Sequence, residues 1–189
     1  RLERVVFLPA GHPWQRERDT YAAGAHRVRM LELAIAGEPA FAVDDREVRR
    51  PGPTYTVETL AEFRREQGPD APLVFLCGTD AFAKIETWHR WEALFDYAHF
   101  AVAVRAEAGA PGAWREASVP AALRHRIATR PEEVLSSPAG RIMAFPMTPL
   151  AISSTAIRDL VRAAGPIRYL TPDPVVDFIL QRSPYGKPA

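Results

Sequence analysis

Leu73-Val74-Phe75-Leu76-Cys77-Gly78-Thr79-Asp80 is the stretch on which the reading of this chain turns. Five apolar residues are followed at once by a glycine, a hydroxyl and a carboxylate. So short a continuous apolar run, with Val and Phe in it, reads as a strand buried on both faces, as in a parallel sheet. Val5–Leu8, Phe100–Val104 and Ile142–Phe145 carry the same signature. Between these runs apolar residues recur at helical spacing. Val28, Leu31 and Ile35 share one face, as do Val57, Leu60 and Ala61, and Ile157, Leu160, Val161 and Ala164. A last helix is expected after Pro172, with Val175, Phe178 and Ile179 on one side. Strands alternating with helices predict an α/β fold: a Rossmann-like parallel sheet flanked by helices, joined by right-handed crossovers.

The chain has 189 residues, of which 47% are hydrophobic, enough for one substantial core and a single domain over residues 1–189. Residues 107–137 read as an insertion: an Ala-, Gly- and Pro-rich surface loop from Glu107 to Pro120, then a polar helix from Arg124 to Ser137, outside the main sheet. Arg1 leads almost directly into the apolar run at Val5 with no initiator Met, which reads as a chain that lacks a preceding segment.

Charge is balanced, 24 Lys+Arg against 23 Asp+Glu, so the basic excess of a duplex-binding protein is missing and nucleic acid is not expected as a partner. The single cysteine, Cys77, forms no disulfide within the chain, which suits a reducing cytoplasm. No apolar stretch approaches the roughly 20 residues of a membrane helix. The five histidines, His12, His26, His89, His99 and His125, lack zinc-site spacing, so no protein metal site is expected. Self-association into a homo-oligomer is compatible with the sequence.

Open α/β sheets bind ligands at the carboxyl ends of their strands. Gly78 there allows a sharp turn or a close ligand approach, and Asp80 can accept hydrogen bonds from ribose hydroxyls or a base; equally, Asp80 can cap a helix. Ile152-Ser153-Ser154-Thr155-Ala156-Ile157-Arg158 opens an amphipathic helix. The unpaired first amides of such a helix, its dipole, its hydroxyls and Arg158 together suit a phosphate, though an ordinary Ser/Thr cap with a solvated arginine fits the same residues. Trp88 offers a face to a flat cationic ring, or a core contact. Pro53-Thr54-Tyr55-Thr56 opens another helix whose amides can hold a carboxylate. Arg16, in the loop after the first strand, and Arg105, just after Phe100–Val104, can neutralise phosphate.

In order and spacing, Arg27-Val28-Arg29-Met30-Leu31-Glu32-Leu33-Ala34, Tyr55-Thr56 with Thr59-Leu60, Phe75-Leu76-Cys77-Gly78-Thr79-Asp80, Trp88 and Ile152–Arg158 resemble the bacterial nicotinate-mononucleotide adenylyltransferases of the nucleotidylyltransferase superfamily. The resemblance implies that the chain transfers the adenylyl group of ATP to nicotinate mononucleotide, with Mg²⁺ bridging phosphate oxygens. It implies Gly78 and Asp80 at the nucleotide's sugar or base and Ser153, Thr155, Arg158 and Arg105 at the ATP phosphates. Trp88 would stack on the nicotinate ring, the amides of Thr56 and His89 would hold its carboxylate, Tyr55 would count among the residues that bind this nucleotide, and Arg16 would lie in the substrate loop. The family often carries an aromatic residue where His89 stands, and only its amide is carried over. The family's opening strand, its Gly-Gly-x-Phe-Asp-Pro turn and its His-x-Gly-His histidines have no counterpart here, so no catalytic residue is identified in this chain. Two other functions remain open: a nicotinamide-nucleotide enzyme, for which Glu86 and Glu92 lie near Trp88, and a non-catalytic nucleotide-binding module.

Overall fold

The computed structural model describes residues 2–11, 22–105 and 119–185, with the Arg105 side chain outside that description. The chain divides into two compact units, Tyr55–Leu150, and Arg1–Thr54 together with Ala151–Ala189. Both are built of parallel strands and helices, as the alternating pattern predicts.

The unit Tyr55–Leu150 holds a three-stranded parallel sheet in the order β3 (Val74–Gly78), β4 (His99–Arg105), β5 (Ile142–Met147). Val74 pairs with His99 and Gly78 with Ala103, while Phe100 pairs with Ile142 and Arg105 with Met147. All three carboxyl ends therefore lie at one edge of the sheet. β4 is the middle strand, with Phe100, Val102 and Val104 buried on one face and Ala101 on the other, as a continuous apolar run requires. β3 departs from that expectation: Leu76 is 42% exposed. Pro146 is tolerated in β5 because β5 ends the strand order, where a missing N–H breaks no ladder.

Helix α3 (Thr56–Gln67) covers this sheet with Val57, Thr59 and Leu60 buried, and the short helices α4 (Thr79–Phe82) and α5 (Leu94–Tyr97) add Phe82, Leu94 and Phe95. Phe100 gathers an aromatic cluster, with ring centroids 5.2 Å from Phe75, 6.1 Å from Phe82 and 4.8 Å from Phe95. The segment from Arg124 to Ser137 is not one polar helix. It is a 3-10 segment, Ala121–Arg126, and a five-residue helix α6 (Pro131–Leu135). Val119 and Leu123 join the core cluster, and Ile127 bridges to Ile142 of β5.

Two polar side chains hold the opposite, amino-terminal side of this sheet. Arg64 of α3 donates from Nη1 to the carbonyls of Gly68 (3.0 Å) and Ala71 (2.6 Å), and from Nη2 to those of Tyr97 and Pro138, both 2.7 Å. One guanidinium thus ties together segments 74 residues apart. His99 is fully buried at the start of β4; its Nδ1 accepts the Arg141 N–H at 3.1 Å, which makes Nε2 the donor to the Ser137 carbonyl at 2.7 Å.

The other unit pairs β1 (Val5–Phe7) in parallel with β2 (Phe41–Val43), Val5 opposite Phe41. Its helices are α1 (Gly24–Ile35), the single turn α2 (Arg46–Arg49), α7 (Ser154–Arg162) and α8 (Asp173–Arg182). Val161, Ile167, Val175, Val176 and Ile179 form its core, with Met30 and Leu33 of α1 packed against them. The helical face read at Ile157, Leu160 and Val161 is present, but α7 stops before Ala164, which adopts φ 53°. The Gly165 N–H then bonds the Leu160 carbonyl (2.8 Å) and the Ala164 N–H that of Val161 (3.1 Å), closing the helix with a Schellman motif.

Candidate functional site

The carboxyl edge of β3–β4–β5 carries three of the residues singled out in the sequence. Gly78 ends β3 with φ −83° and ψ 163°, extended backbone that needs no glycine for its dihedrals. What distinguishes it is space: no atom of the described residues lies within 4 Å of where a Cβ would stand. Gly78 is the N-cap of α4, which places Asp80 inside the first helical turn, exposed and making no capping hydrogen bond. The capping alternative for Asp80 is thereby corrected, and its carboxylate faces solvent at the strand's end. Arg105 closes β4 at the same edge, paired with Met147. Cys77, one residue before Gly78, is largely enclosed; burial pushes its thiol up to about 12, so it remains protonated and unreactive at neutral pH.

Tyr55, Thr56, Trp88 and His89 come together within this unit. Tyr55 is the N-cap of α3, without a side-chain capping bond of its own, and Thr56 is the first residue of the helix. Trp88 ends a 3-10 turn (Ile85–Thr87), half-buried, with its ring 5.9 Å from Phe75 and perpendicular to it. Trp88 is thus anchored to β3, the strand that ends in Gly78. The Trp91 N–H bonds the Trp88 carbonyl at 3.1 Å, so Trp88–Trp91 is a tight turn with His89 at its tip and Arg90 left-handed at φ 50°. The exposed His89 imidazole lies against the Tyr55 ring, centroids 4.3 Å apart and planes 33° from parallel. Sequence reasoning carried over only the His89 amide and missed this ring pair, because its partners stand 34 residues apart with no periodic signal between them.

Ser153, Thr155 and Arg158 belong to the other unit. Ser153 caps α7: its Oγ accepts the Ala156 N–H at 3.1 Å. The cap reading is therefore correct for Ser153, while the amides ahead of Ala156 and the helix dipole still point out of the N-terminus. Arg158 is not the solvated arginine of the ordinary alternative. It is buried and donates from Nη2 to the Thr155 Oγ1 at 3.0 Å. Tyr185 is close enough to feel that charge: burial raises its phenol above the usual range while Arg158 acts against the rise. Neither the burial of Arg158 nor the neighbourhood of Tyr185 has a sequence signal.

Arg27 of α1 is a further residue the sequence reading named only within a motif. Its guanidinium donates to the carbonyls of Ala10, Gly11 (3.2 Å) and Ala22 (3.1 Å), so it pins the chain that leaves β1. Gly11 is needed there, since a Cβ would collide with the Glu47 carbonyl oxygen and lie 2.9 Å from Thr54 Cγ2. Arg16 lies outside the described residues. Among the described residues no group of three or more His, Cys, Asp or Glu is placed to hold a metal ion, and no helix is long and apolar enough to cross a membrane.

A parallel sheet with an open glycine and a carboxylate at its carboxyl edge, in one unit with the start of α3 and a tryptophan packed edge-on against β3, defines an α/β nucleotide-handling protein, and the cytidylyltransferase-like family model matches residues 1–160. Curated relatives narrow this. The probable nicotinate-nucleotide adenylyltransferase of Acidithiobacillus ferrooxidans is 38% identical, covering 99% of this chain and 84% of the relative. Those of Dechloromonas aromatica and Laribacter hongkongensis are 42% and 44% identical, covering 97% and 95% of this chain and 84% and 79% of the relatives. Among solved structures, Plasmodium falciparum nicotinic acid mononucleotide adenylyltransferase complexed with NaAD shares the fold, with a TM-score of 0.63 at 15% identity over 97% of this chain and 83% of that one. The chain belongs to the nicotinate-nucleotide adenylyltransferase family.

Proposed function

We propose that this chain transfers the adenylyl group of ATP to nicotinate mononucleotide, giving nicotinate adenine dinucleotide and pyrophosphate, a step of NAD biosynthesis. The observation that carries the reading is the assembly of Tyr55, Thr56, Trp88 and His89 at the start of α3, tied through Phe75 to the strand that ends in the open Gly78. A pyridinium ring carries positive charge and suits a Trp face. Its carboxylate suits backbone amides at the positive end of α3.

A phosphate oxygen of the mononucleotide attacks the α-phosphorus of ATP. The new P–O bond forms as the bond from that phosphorus to the α–β bridging oxygen breaks, and pyrophosphate leaves with the electron pair. The protein's contribution is positioning and charge stabilisation. In this reading Ser153, Thr155 and Arg158 hold phosphates through the α7 N-terminus and a guanidinium that burial keeps short of water. Gly78 and Asp80 receive the sugar or base, Arg105 adds charge at the same sheet edge, and Arg16 serves the substrate loop. Mg²⁺ enters with ATP as part of the substrate; a hard cation that retains water and binds phosphate oxygens asks few ligands of the protein. The enclosed, protonated Cys77 and the lack of any other thiol fit a cytoplasmic setting.

The test is product formation. Protein expressed from its complete reading frame, given ATP, Mg²⁺ and nicotinate mononucleotide, releases pyrophosphate and forms the dinucleotide in equal amounts. Binding of both nucleotides without pyrophosphate, from folded protein, overturns the enzyme reading in favour of a binding module.

A further inference from the structure

The carboxylate-binding role proposed above uses two backbone segments, the start of α3 and the tip of the Trp88–Trp91 turn. The N-cap residue Tyr55 gives the start of α3 no side-chain hydrogen bond. The turn is strained, because Arg90 holds a left-handed conformation that favours glycine. Both segments rest on the same core, and above it the Tyr55 and His89 rings meet with centroids 4.3 Å apart. Tyr55 is the residue immediately before Thr56, and His89 bears the second amide, so the ring pair joins the two donors directly.

We infer that the His89 imidazole, through its stack on Tyr55, is a positioning group that sets the spacing of the Thr56 and His89 amides and thereby the preference for a carboxylate over an amide on the pyridine ring. This rests on the proposed adenylyl transfer to nicotinate mononucleotide and adds a side-chain role at His89. A carboxylate offers two acceptor oxygens to two N–H donors, whereas a carboxamide offers one acceptor and two hydrogens that meet those donors with the wrong polarity. Discrimination therefore depends on both amides being in place at once. Trp88 contributes alike to the two ligands, since both rings are cationic, so it is not the discriminating residue. On the other side, Tyr55 also packs against the core, so its position is held independently, and His89, exposed at the turn's tip, is the partner free to be lost.

The experiment compares wild type, His89→Ala and His89→Phe, each checked for an unchanged thermal transition, by steady-state kinetics with ATP and either mononucleotide. His89→Ala raises KM for nicotinate mononucleotide roughly three- to tenfold, the worth of one aromatic pair, and narrows the acid-to-amide ratio of kcat/KM by a similar factor. KM for ATP does not follow. His89→Phe, which restores a ring against Tyr55, restores the ratio. A His89→Ala enzyme with the wild-type ratio overturns the inference while leaving adenylyl transfer intact, as does a His89→Phe enzyme that behaves like His89→Ala. A wild-type protein inactive with both mononucleotides overturns the functional reading itself.

Discussion

Arg158 sets its Nη2 3.0 Å from the Thr155 hydroxyl while leaving only 9% of its surface to solvent. Thr155 and Arg158 stand three residues apart, so α7 places both on one face near its positive end, which favours anions. A charge-assisted bond from guanidinium to phosphate is worth about 1.5–3 kcal/mol, so Arg158→Ala lowers kcat/KM for ATP by roughly 10- to 150-fold. Thr155→Val, which removes the hydroxyl that orients the guanidinium, costs roughly tenfold through one hydrogen bond from a charged donor. Steady-state kinetics with varied ATP measure both. An ATP KM and kcat untouched by Arg158→Ala contradicts the phosphate role.

Gly78 separates fold from ligand. Its backbone is extended and the space beside it is open, so a Cβ there meets no atom of the described residues beyond its chain neighbours within 4 Å. Gly78→Val should leave the thermal transition where it is or raise it, since a β-branched residue favours a strand more than glycine does. It should nonetheless lower kcat/KM at least about tenfold if the nucleotide approaches the backbone there. Calorimetry and kinetics on one preparation decide it: a stable and fully active Gly78→Val protein removes Gly78 from the site.

His99 makes stability depend on pH. Burial lowers its pKa below the ordinary 6.5, and the charges of Arg64 and Arg141 push the same way against the favourable bond to Ser137. Because the folded pKa is depressed, the unfolded chain takes up the proton more readily. The stabilisation is complete above pH 6.5 and is lost as pH falls from there through the folded pKa. Protonating Nδ1 also breaks its bond from the Arg141 N–H. The thermal transition should therefore fall below pH 6.5, and His99→Gln, which offers one acceptor and one donor without titrating, should flatten that fall. An equally steep fall in His99→Gln assigns the acid sensitivity elsewhere.

Ala164 holds φ 53° at the Schellman position where helices favour glycine. Relief of the Cβ clash stabilises Ala164→Gly by about 1 kcal/mol, raising the thermal transition by roughly 2–4 °C. A lower transition in Ala164→Gly would mean that backbone entropy in the unfolded chain outweighs the strain.

What was legible in the sequence follows from the range of the interactions. The apolar runs at Phe100 and Ile142 announce β4 and β5 because burial on both faces needs an unbroken run, and the faces of α3 and α8 appear at 3.6-residue spacing. β2, only Phe41–Val43, is too short to stand out beside its loop. Gly165-Pro166 signals that α7 stops, but Ala164 at helical spacing carries the apolar face past the helix's end at Arg162. The polar look of Arg124–Ser137 masked Ala128 and Val134, single apolar residues that each reach a buried site. Candidate site residues were legible as residue types after strands and at helix starts. Their partners were not: Tyr55 against His89, and Arg64 reaching the carbonyls of Tyr97 and Pro138, are joined by the folded chain alone.

The central claim is adenylyl transfer to the acid rather than the amide mononucleotide. Its most direct test is the ratio of kcat/KM for nicotinate against nicotinamide mononucleotide, with saturating ATP and Mg²⁺ and pyrophosphate as the readout. The proposed pair of amide bonds to the carboxylate predicts a ratio of at least about 100, the worth of two hydrogen bonds to a charged group. A ratio near or below one would contradict the account of the Thr56 and His89 amides, and the absence of pyrophosphate with either substrate would contradict adenylyl transfer.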